Sequence, residues 1–237
     1  MNKISFVIPV YNEEENLPQL WEQIARVTAH LNVDFQLLFI DDGSTDGSLD
    51  LIRDLAARHP QIGYLHLARN SGQSAALYAG FQAADGDIIV TMDADLQNDP
   101  ADLPEMLRYY GEYDMVIGWR HQRQDSLSKK IASRIGNGFR NWLTNENIHD
   151  TGCSLKVMRA DMLKRIKMFH GLHRFLPTLM RLEGARIKEI KVNHRPRLYG
   201  TSKYTNLRRG IEGFYDVIAV RWMQKRHLKI EIGERHV

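Results

Sequence analysis

The chain has 237 residues, of which 43% are hydrophobic and 26% charged, with one cysteine and a formal net charge of +3, enough for one sizeable core and a short appendage. The lone Cys153 excludes an internal disulfide framework and fits a reducing compartment, so the cytoplasm is the expected location. No apolar run approaches the roughly 18 residues needed to cross a bilayer, and Met1-Asn2-Lys3 enters a strand pattern without a signal region, so no membrane span is expected.

Strand-like runs at 4–10, 35–40, 62–67, 88–92 and 115–118 alternate with helix-like stretches. That alternation predicts an α/β fold, a doubly wound, mostly parallel sheet with helices on both faces. After the first strand, Asn12 precedes Glu13-Glu14-Glu15 with Glu15 in the capping-box position, which predicts a helix start there; Asp99-Pro100 predicts another. Further on, 126–143 reads as a helix, 153–158 as a short strand, 161–166 and 175–182 as short helices, and 187–192 as a half-exposed strand. A polar, glycine-containing loop runs from 193 to 202.

The small net charge conceals a polarity. Residues 1–117 carry 6 Lys+Arg against 19 Asp+Glu, whereas 118–185 and 186–237 each carry 13 against 5. The basic second half predicts an anionic partner, nucleic acid or an anionic membrane surface by charge alone.

The most informative run is Ile88-Ile89-Val90-Thr91-Met92-Asp93-Ala94-Asp95, an apolar strand that delivers two carboxylates to its carboxyl end, where open α/β sheets bind ligands. Two acids so close repel each other and call for a cation or a ring of donors between them. Asp93, Asp95 and Gln97 occupy alternate positions, and their oxygens suit Mg²⁺ or Mn²⁺ shared with a diphosphate. A turn whose acids cap the next helix is the plainer reading, and it suits Asp99.

Pro9-Val10-Tyr11-Asn12-Glu13 ends the first strand, where a tyrosine ring can stack on a base and a carboxylate can accept from base or ribose; Asp42, after the second strand, is another candidate. Arg69-Asn70-Ser71-Gly72-Gln73-Ser74 opens an alanine-rich helix, so its amides and Arg69 could face an anion. Gly118-Trp119-Arg120 brings a guanidinium to the same edge. The segment from Asn193 to Tyr204 contributes cations around a glycine, a loop able to close over a diphosphate. Finally Ile211, Phe214, Tyr215, Val217, Ile218, Val220, Trp222 and Met223 are bordered by Arg208, Arg209, Arg221, Lys225 and Arg226. Such a helix suits an anionic lipid surface, and equally suits packing on the domain or on a second copy in a homodimer.

Taken together and in order, these motifs resemble the family 2 inverting glycosyltransferases of the GT-A, Rossmann-like fold, and within them the dolichyl- and polyprenyl-phosphate sugar transferases. The resemblance rests on Val7-Ile8-Pro9-Val10-Tyr11-Asn12-Glu13, Ile40-Asp41-Asp42-Gly43-Ser44-Thr45-Asp46, Met92-Asp93-Ala94-Asp95-Leu96-Gln97, Gly118-Trp119-Arg120, Thr151-Gly152-Cys153-Ser154-Leu155 and Gly200-Thr201-Ser202-Lys203-Tyr204. It implies a catalytic unit over 1–205 and a basic, membrane-associating segment over 206–237. It also implies that Pro9, Tyr11, Glu13 and Asp42 hold the nucleotide, that Asp93, Ala94 and Asp95 with Gln97 hold the metal and donor diphosphate, and that Arg120, Arg197 and Lys203 grip phosphates.

The reaction so implied is attack of a polyprenyl- or dolichyl-phosphate oxygen on the anomeric carbon of a UDP- or GDP-sugar, with inversion, by a protein peripheral on the cytoplasmic face of the membrane. A phosphate monoester is largely dianionic near neutral pH, its second pKa being about 6, and needs little help from a base. A sugar-hydroxyl acceptor would need one, and Asp150 is the residue to suspect. The rival of another class is a non-catalytic, nucleotide-responsive membrane adaptor. A nucleic-acid binder is not expected, since the chain carries no recognised RNA or DNA module.

Overall fold

A computed structural model of the chain describes residues 3–121, 127–197, 206–228 and 234, with the side chains of 127–135 and 206–212 left aside. In chain order the elements are β1 (Ile4–Val10), α1 (Leu17–Leu31), β2 (Phe35–Asp41), α2 (Ser48–Arg58), β3 (Ile62–His66), α3 (Gln73–Ala83), β4 (Ile88–Thr91), α4 (Leu103–Tyr109), β5 (Met115–Arg120), α5 (Leu127–Thr144), β6 (Lys156–Arg159), α6 (Ala160–Leu163), α7 (Leu176–Leu182), β7 (Ile187–Val192) and α8 (Asn206–Arg226). Short 3-10 turns precede α4 at Pro100–Asp102 and α7 at Leu172–Phe175.

The strands form one sheet in the order β3-β2-β1-β4-β6-β5-β7. All pair in parallel except β6, which runs antiparallel to both neighbours. The expected doubly wound, mostly parallel sheet is thus present, with one reversed strand fifth in its order.

Side-chain alternation along β1 explains the two layers. Ile4, Phe6, Ile8 and Val10 face one way, into a core closed by Leu17, Leu20 and Ile24 of α1, Ile52 and Leu55 of α2, and Leu103 and Met106 of α4. Val7 faces the other way, with Leu38 and Ile40 of β2, toward Ala76, Leu77 and Phe81 of α3 and toward α7 and α8. α3 lies very close to the sheet: a Cβ on Gly80 would stand 2.3 Å from Val7 Cγ1, so only glycine lets the helix dock there.

Two sequence expectations need correction. No helix begins at Asn12, and Glu15 forms no capping box; α1 starts at Leu17, with Asn16 at its cap and a proline in its first turn. The residues ahead of it are committed elsewhere. Asn12 adopts φ +54° and bonds Thr45 through both ends of its amide, its Oδ1 accepting from the Thr45 amide at 2.7 Å. The Glu13 amide donates to Ser48 Oγ at 2.9 Å and Glu14 Oε2 accepts from the Gly47 amide at 2.6 Å, so the loop after β1 is zipped to the loop after β2. The second correction is that the strand expected over 153–158 begins only at Lys156, because the preceding residues form the turn that faces the acidic loop. The helix expected over 175–182 is present as α7, with a 3-10 turn ahead of it, and the one expected over 161–166 is present as α6, which ends at Leu163.

α8 packs on α5 and buries Val217 and Val220 in the core, while Phe139 stacks on Phe214 with ring centroids 5.6 Å apart. Its other face stays open: Tyr215 is 69% exposed and Trp222 64%, and Trp142 of α5 is 76% exposed. No helix among the described residues is long and apolar enough to cross a membrane.

Candidate active site

Because β1, β2, β3 and β4 run parallel, their carboxyl ends share one edge, and the loops leaving that edge carry the acids. Past Thr91 the chain buries Met92 and Ala94 beneath it, which turns the intervening Asp93 toward the site, and it bends at Leu96 in the left-handed region, φ +60°. The bend lets the Gln97 amide donate to Asp95 Oδ1 at 3.2 Å. Asp93 Oδ1 accepts from Gln73 Nε2, at the start of α3, at 2.9 Å.

The turn before β6 staples this loop from beneath. Thr91 Oγ1 donates to the Ser154 carbonyl at 2.7 Å, the Asp93 amide to Ser154 Oγ at 3.3 Å, and Ser154 Oγ to Asn98 Oδ1 at 2.6 Å. Lys156, buried at the head of β6, donates to the Cys153 carbonyl; burial lowers its pKa. Cys153 is buried as well and burial raises its thiol's pKa, the behaviour of a structural cysteine.

Burial and then the charge of Asp93 push Asp95 up to about 6, and Arg197 pulls the other way. Arg197 Nη2 lies 2.6 Å from Asp95 Oδ2 and its Nη1 lies 3.6 Å from Glu13 Oε1. The basic segment is laid along the acidic one to make this contact. The Asn193 amide donates to Asp102 at 2.8 Å, Arg195 pairs with Asp99, and the Arg195 amide donates to the Gln97 carbonyl at 2.9 Å. Opposed halves of the sequence therefore meet at the site. Lys203 lies outside the described residues.

Asp42 is buried, and its two oxygens accept from the Ser71 and Gly72 amides at 2.7 and 2.8 Å. Burial raises its pKa, an effect these amides oppose. The anion that faces the start of α3 is thus the protein's own carboxylate. Gly43, φ +69°, permits the approach, since a Cβ there would stand 2.7 Å from the backbone of Arg69 and Asn70. Pro9, Tyr11 and Glu13 sit around the same mouth, each partly buried at or just past the end of β1.

On the far side of the acidic loop, Arg120 closes β5. Its Nε and Nη2 donate to Asp150 Oδ2 and Oδ1 at 2.7 and 2.9 Å, a forked pair. Burial works against the guanidinium's charge, but the bonds and charge of Asp150 outweigh it and raise the pKa. Gly152 lies against this pair, its Cβ position 3.3 Å from Arg120 Nη2.

Among the described residues, no three His, Cys, Asp or Glu side chains converge on one point. Asp93 and Asp95 nevertheless suit a hard divalent ion, which uses one or two carboxylates and completes its shell with phosphate oxygens and water. The charge held on Asp95 by Arg197 is the charge a cation would otherwise balance. The Gln97 side chain turns toward the Arg195 carbonyl, 3.5 Å from its Nε2. Sequence reasoning missed Gln73, Asn98 and Ser154 as partners of the acidic loop, and Glu189 as partner of the 149–150 turn. Ser154 and Gln73 carried a signal, as parts of Thr151-Gly152-Cys153-Ser154-Leu155 and of Arg69-Asn70-Ser71-Gly72-Gln73-Ser74.

Comparison with known proteins places the chain in a family and a fold. The model of glycosyl transferase family 2 matches residues 5–167. The undecaprenyl-phosphate 4-deoxy-4-formamido-L-arabinose transferase of Proteus mirabilis is 39% identical over 220 residues, covering 92% of this chain and 67% of that protein. The dodecaprenyl-phosphate galacturonate synthase of Rhizobium johnstonii is 37% identical over 229 residues, covering 94% and 68%. Among solved structures, glucosyl-3-phosphoglycerate synthase from Mycobacterium tuberculosis with Mg²⁺ and uridine diphosphate superposes with a TM-score of 0.70 at 18% identity, covering 97% of this chain and 81% of that one. S. aureus TarS with UDP-GlcNAc gives a TM-score of 0.65 at 18% identity, covering 97% and 68%. These two show the fold.

Proposed function

Since this chain belongs to glycosyl transferase family 2 and is a glycosyltransferase, we propose that it moves a sugar from a nucleoside-diphosphate donor to a polyprenyl phosphate. A phosphate oxygen of the acceptor attacks the anomeric carbon, a glycosyl phosphate bond forms with inversion, and the bond to the donor diphosphate breaks with its electron pair leaving on the nucleoside diphosphate. Asp93 and Asp95, with Gln97 and Ala94 beside them, would hold the divalent ion, which supplies charge stabilisation to the departing diphosphate. Pro9, Tyr11, Glu13 and Asp42 would form the nucleotide wall and Arg197 would face the diphosphate, with Lys203, outside the described residues, assigned to the same task from the sequence.

The observation that carries the acceptor class is the forked pair of Arg120 and Asp150. The carboxylate that a hydroxyl acceptor would need as its base is bound to a guanidinium, whose remaining N–H groups would be the ones to meet an anionic acceptor. An acceptor that is already ionised needs alignment and charge balance, which this arrangement offers. The names of the two relatives, both acting on polyprenyl phosphates, support the same reading.

The enzyme sits on the cytoplasmic face of the membrane through α8. In support, Tyr215, Ile218 and Trp222 are exposed at spacings that form one stripe, with Trp142 exposed on α5 and Arg221, Lys225 and Arg226 nearby. Incubating the protein with UDP- or GDP-sugars, Mn²⁺ and undecaprenyl phosphate tests the function: release of nucleoside diphosphate that depends on the lipid phosphate is expected. Release that depends instead on a glycan hydroxyl, or binding without release, overturns it.

A further inference from the structure

β7 carries a carboxylate that the reaction above leaves unused. The side chain of Glu189 is 14% exposed and lies under the turn that leads to Asp150. Its Oε1 accepts from the Asp150 amide at 2.9 Å, its Oε2 from the His149 amide at 3.0 Å, and Oε2 also lies 2.8 Å from His149 Nδ1. The His149 ring is in turn stacked on Trp119, centroids 4.4 Å apart and planes 18° from parallel. One carboxylate thus receives two consecutive backbone amides, and the turn they belong to presents the Asp150 side chain to Arg120.

Resting on the function proposed above, we infer that Glu189 is a positioning residue for Arg120, acting through the His149-Asp150 turn. β5 and β7 pair in parallel, with Ile117 opposite Glu189 and Arg120 opposite Val192, so the support and the supported group stand on neighbouring strands. The contacts close a ring: from Glu189 on β7 to the turn amides, from Asp150 to the guanidinium, and through β5 back to β7. Asp150 on an untethered turn would sample several rotamers and would present its two oxygens to Arg120 only part of the time. Tethered, it holds the Nε and Nη2 edge and so fixes the plane of the guanidinium.

Glu189→Gln tests this at nearly constant size. An amide side chain offers one acceptor oxygen, so one of the two turn amides must face an NH₂ group and the turn loosens. Lost supporting contacts typically cost about 10- to 100-fold, and transfer to undecaprenyl phosphate is expected to fall at least tenfold within that range. In an Asp150→Asn background the same change should alter transfer less than twofold, because the relay is already broken; a merely structural role would make the losses multiply. The second readout needs no activity. The slowly exchanging ¹⁵N signal of Arg120 Nε–H, assigned by its disappearance in Arg120→Lys, should broaden or vanish in Glu189→Gln. An unchanged signal, or multiplying losses, overturns the inference. If the wild-type protein transfers nothing to the lipid phosphate, the proposed acceptor falls and the signal still decides the role of Glu189. Should Glu189→Gln fail to fold, Glu189→Asp, which keeps both acceptors one methylene further away, is read by the same signal.

Discussion

Replacing Asp95 with Asn should stabilise the metal-free protein while removing its activity. Burial and the neighbouring Asp93 hold the Asp95 pKa at about 6, against an ordinary value of 3.8. Between those two values the folded state binds more protons than the unfolded one. Stability therefore falls as pH rises from 4 to 6, and the loss is complete above the folded pKa. The gap of about 2.2 units at 1.36 kcal/mol each sets the penalty at roughly 3 kcal/mol, an upper bound, at pH 7.5. Asn approximates the protonated acid in shape and charge, so it escapes that penalty. For a chain of this length each kcal/mol moves the melting temperature by about 2–4 °C, giving a gain of up to about 10 °C. The assay is thermal unfolding of wild type and Asp95→Asn in chelator at pH 7.5 and pH 4. The gain should be present at the higher pH, vanish at the lower, and shrink or reverse when Mn²⁺ and UDP are added to wild type, whose bound state is favoured by mass action. A variant that melts at or below wild type at pH 7.5 in chelator would refute the reasoning, because the carboxylate would then not be held at an electrostatic cost.

The other expectations concern separate parts of the molecule. Asp93→Ala should abolish Mn²⁺-dependent UDP binding in calorimetry, whereas Gln73→Ala, which removes only the bond to Asp93 Oδ1, should weaken it by no more than about 10- to 150-fold, since a bond to a charged group is worth about 1.5–3 kcal/mol at most. Asp150→Asn should lower transfer by loosening Arg120 and leave the pH–rate profile unmoved; a lost acidic limb would instead mark Asp150 as a base for a hydroxyl acceptor. Exchanging Tyr215, Ile218 and Trp222 together for Ser should reduce sedimentation with anionic vesicles by at least tenfold without changing UDP binding, and added salt should weaken what remains. Gly80→Ala drives a methyl to 2.3 Å from Val7 Cγ1 and should cost about 1–3 kcal/mol in urea unfolding.

Most of the donor half was readable from local pattern. The strands up to β5 are short apolar runs that end in acids or turn residues, so their positions and the sharing of one edge came from periodicity. The Asp93 and Asp95 loop, and the convergence of acidic and basic halves, could be read for the same reason: burial demands and charge are written residue by residue. The start of α1 was misplaced because Asn12, Glu13 and Glu14 have the composition of a helix cap but bond Thr45, Ser48 and Gly47, about 33 residues away in sequence. The roles of Asn98, Ser154 and Glu189 depend likewise on partners brought by strand order, which local pattern does not encode. The pairing of Arg120 with Asp150 was not legible because Asp150, 30 residues on, reaches it only through the turn before β6.

That reversed strand has a consequence for how the enzyme can vary. In the parallel strands, the residues C-terminal to the strand reach the reaction mouth; in β6, the residues N-terminal to it do, since Lys156 lies opposite Thr91 and Ile117 near their carboxyl ends. Residues added ahead of Lys156 would therefore arrive at the edge that carries the acidic loop, and residues added beyond Arg159 would emerge on the opposite rim. Under the proposed function, altering that one stretch of sequence would remodel who receives the sugar, while the strands proposed to cradle the nucleotide keep their lengths.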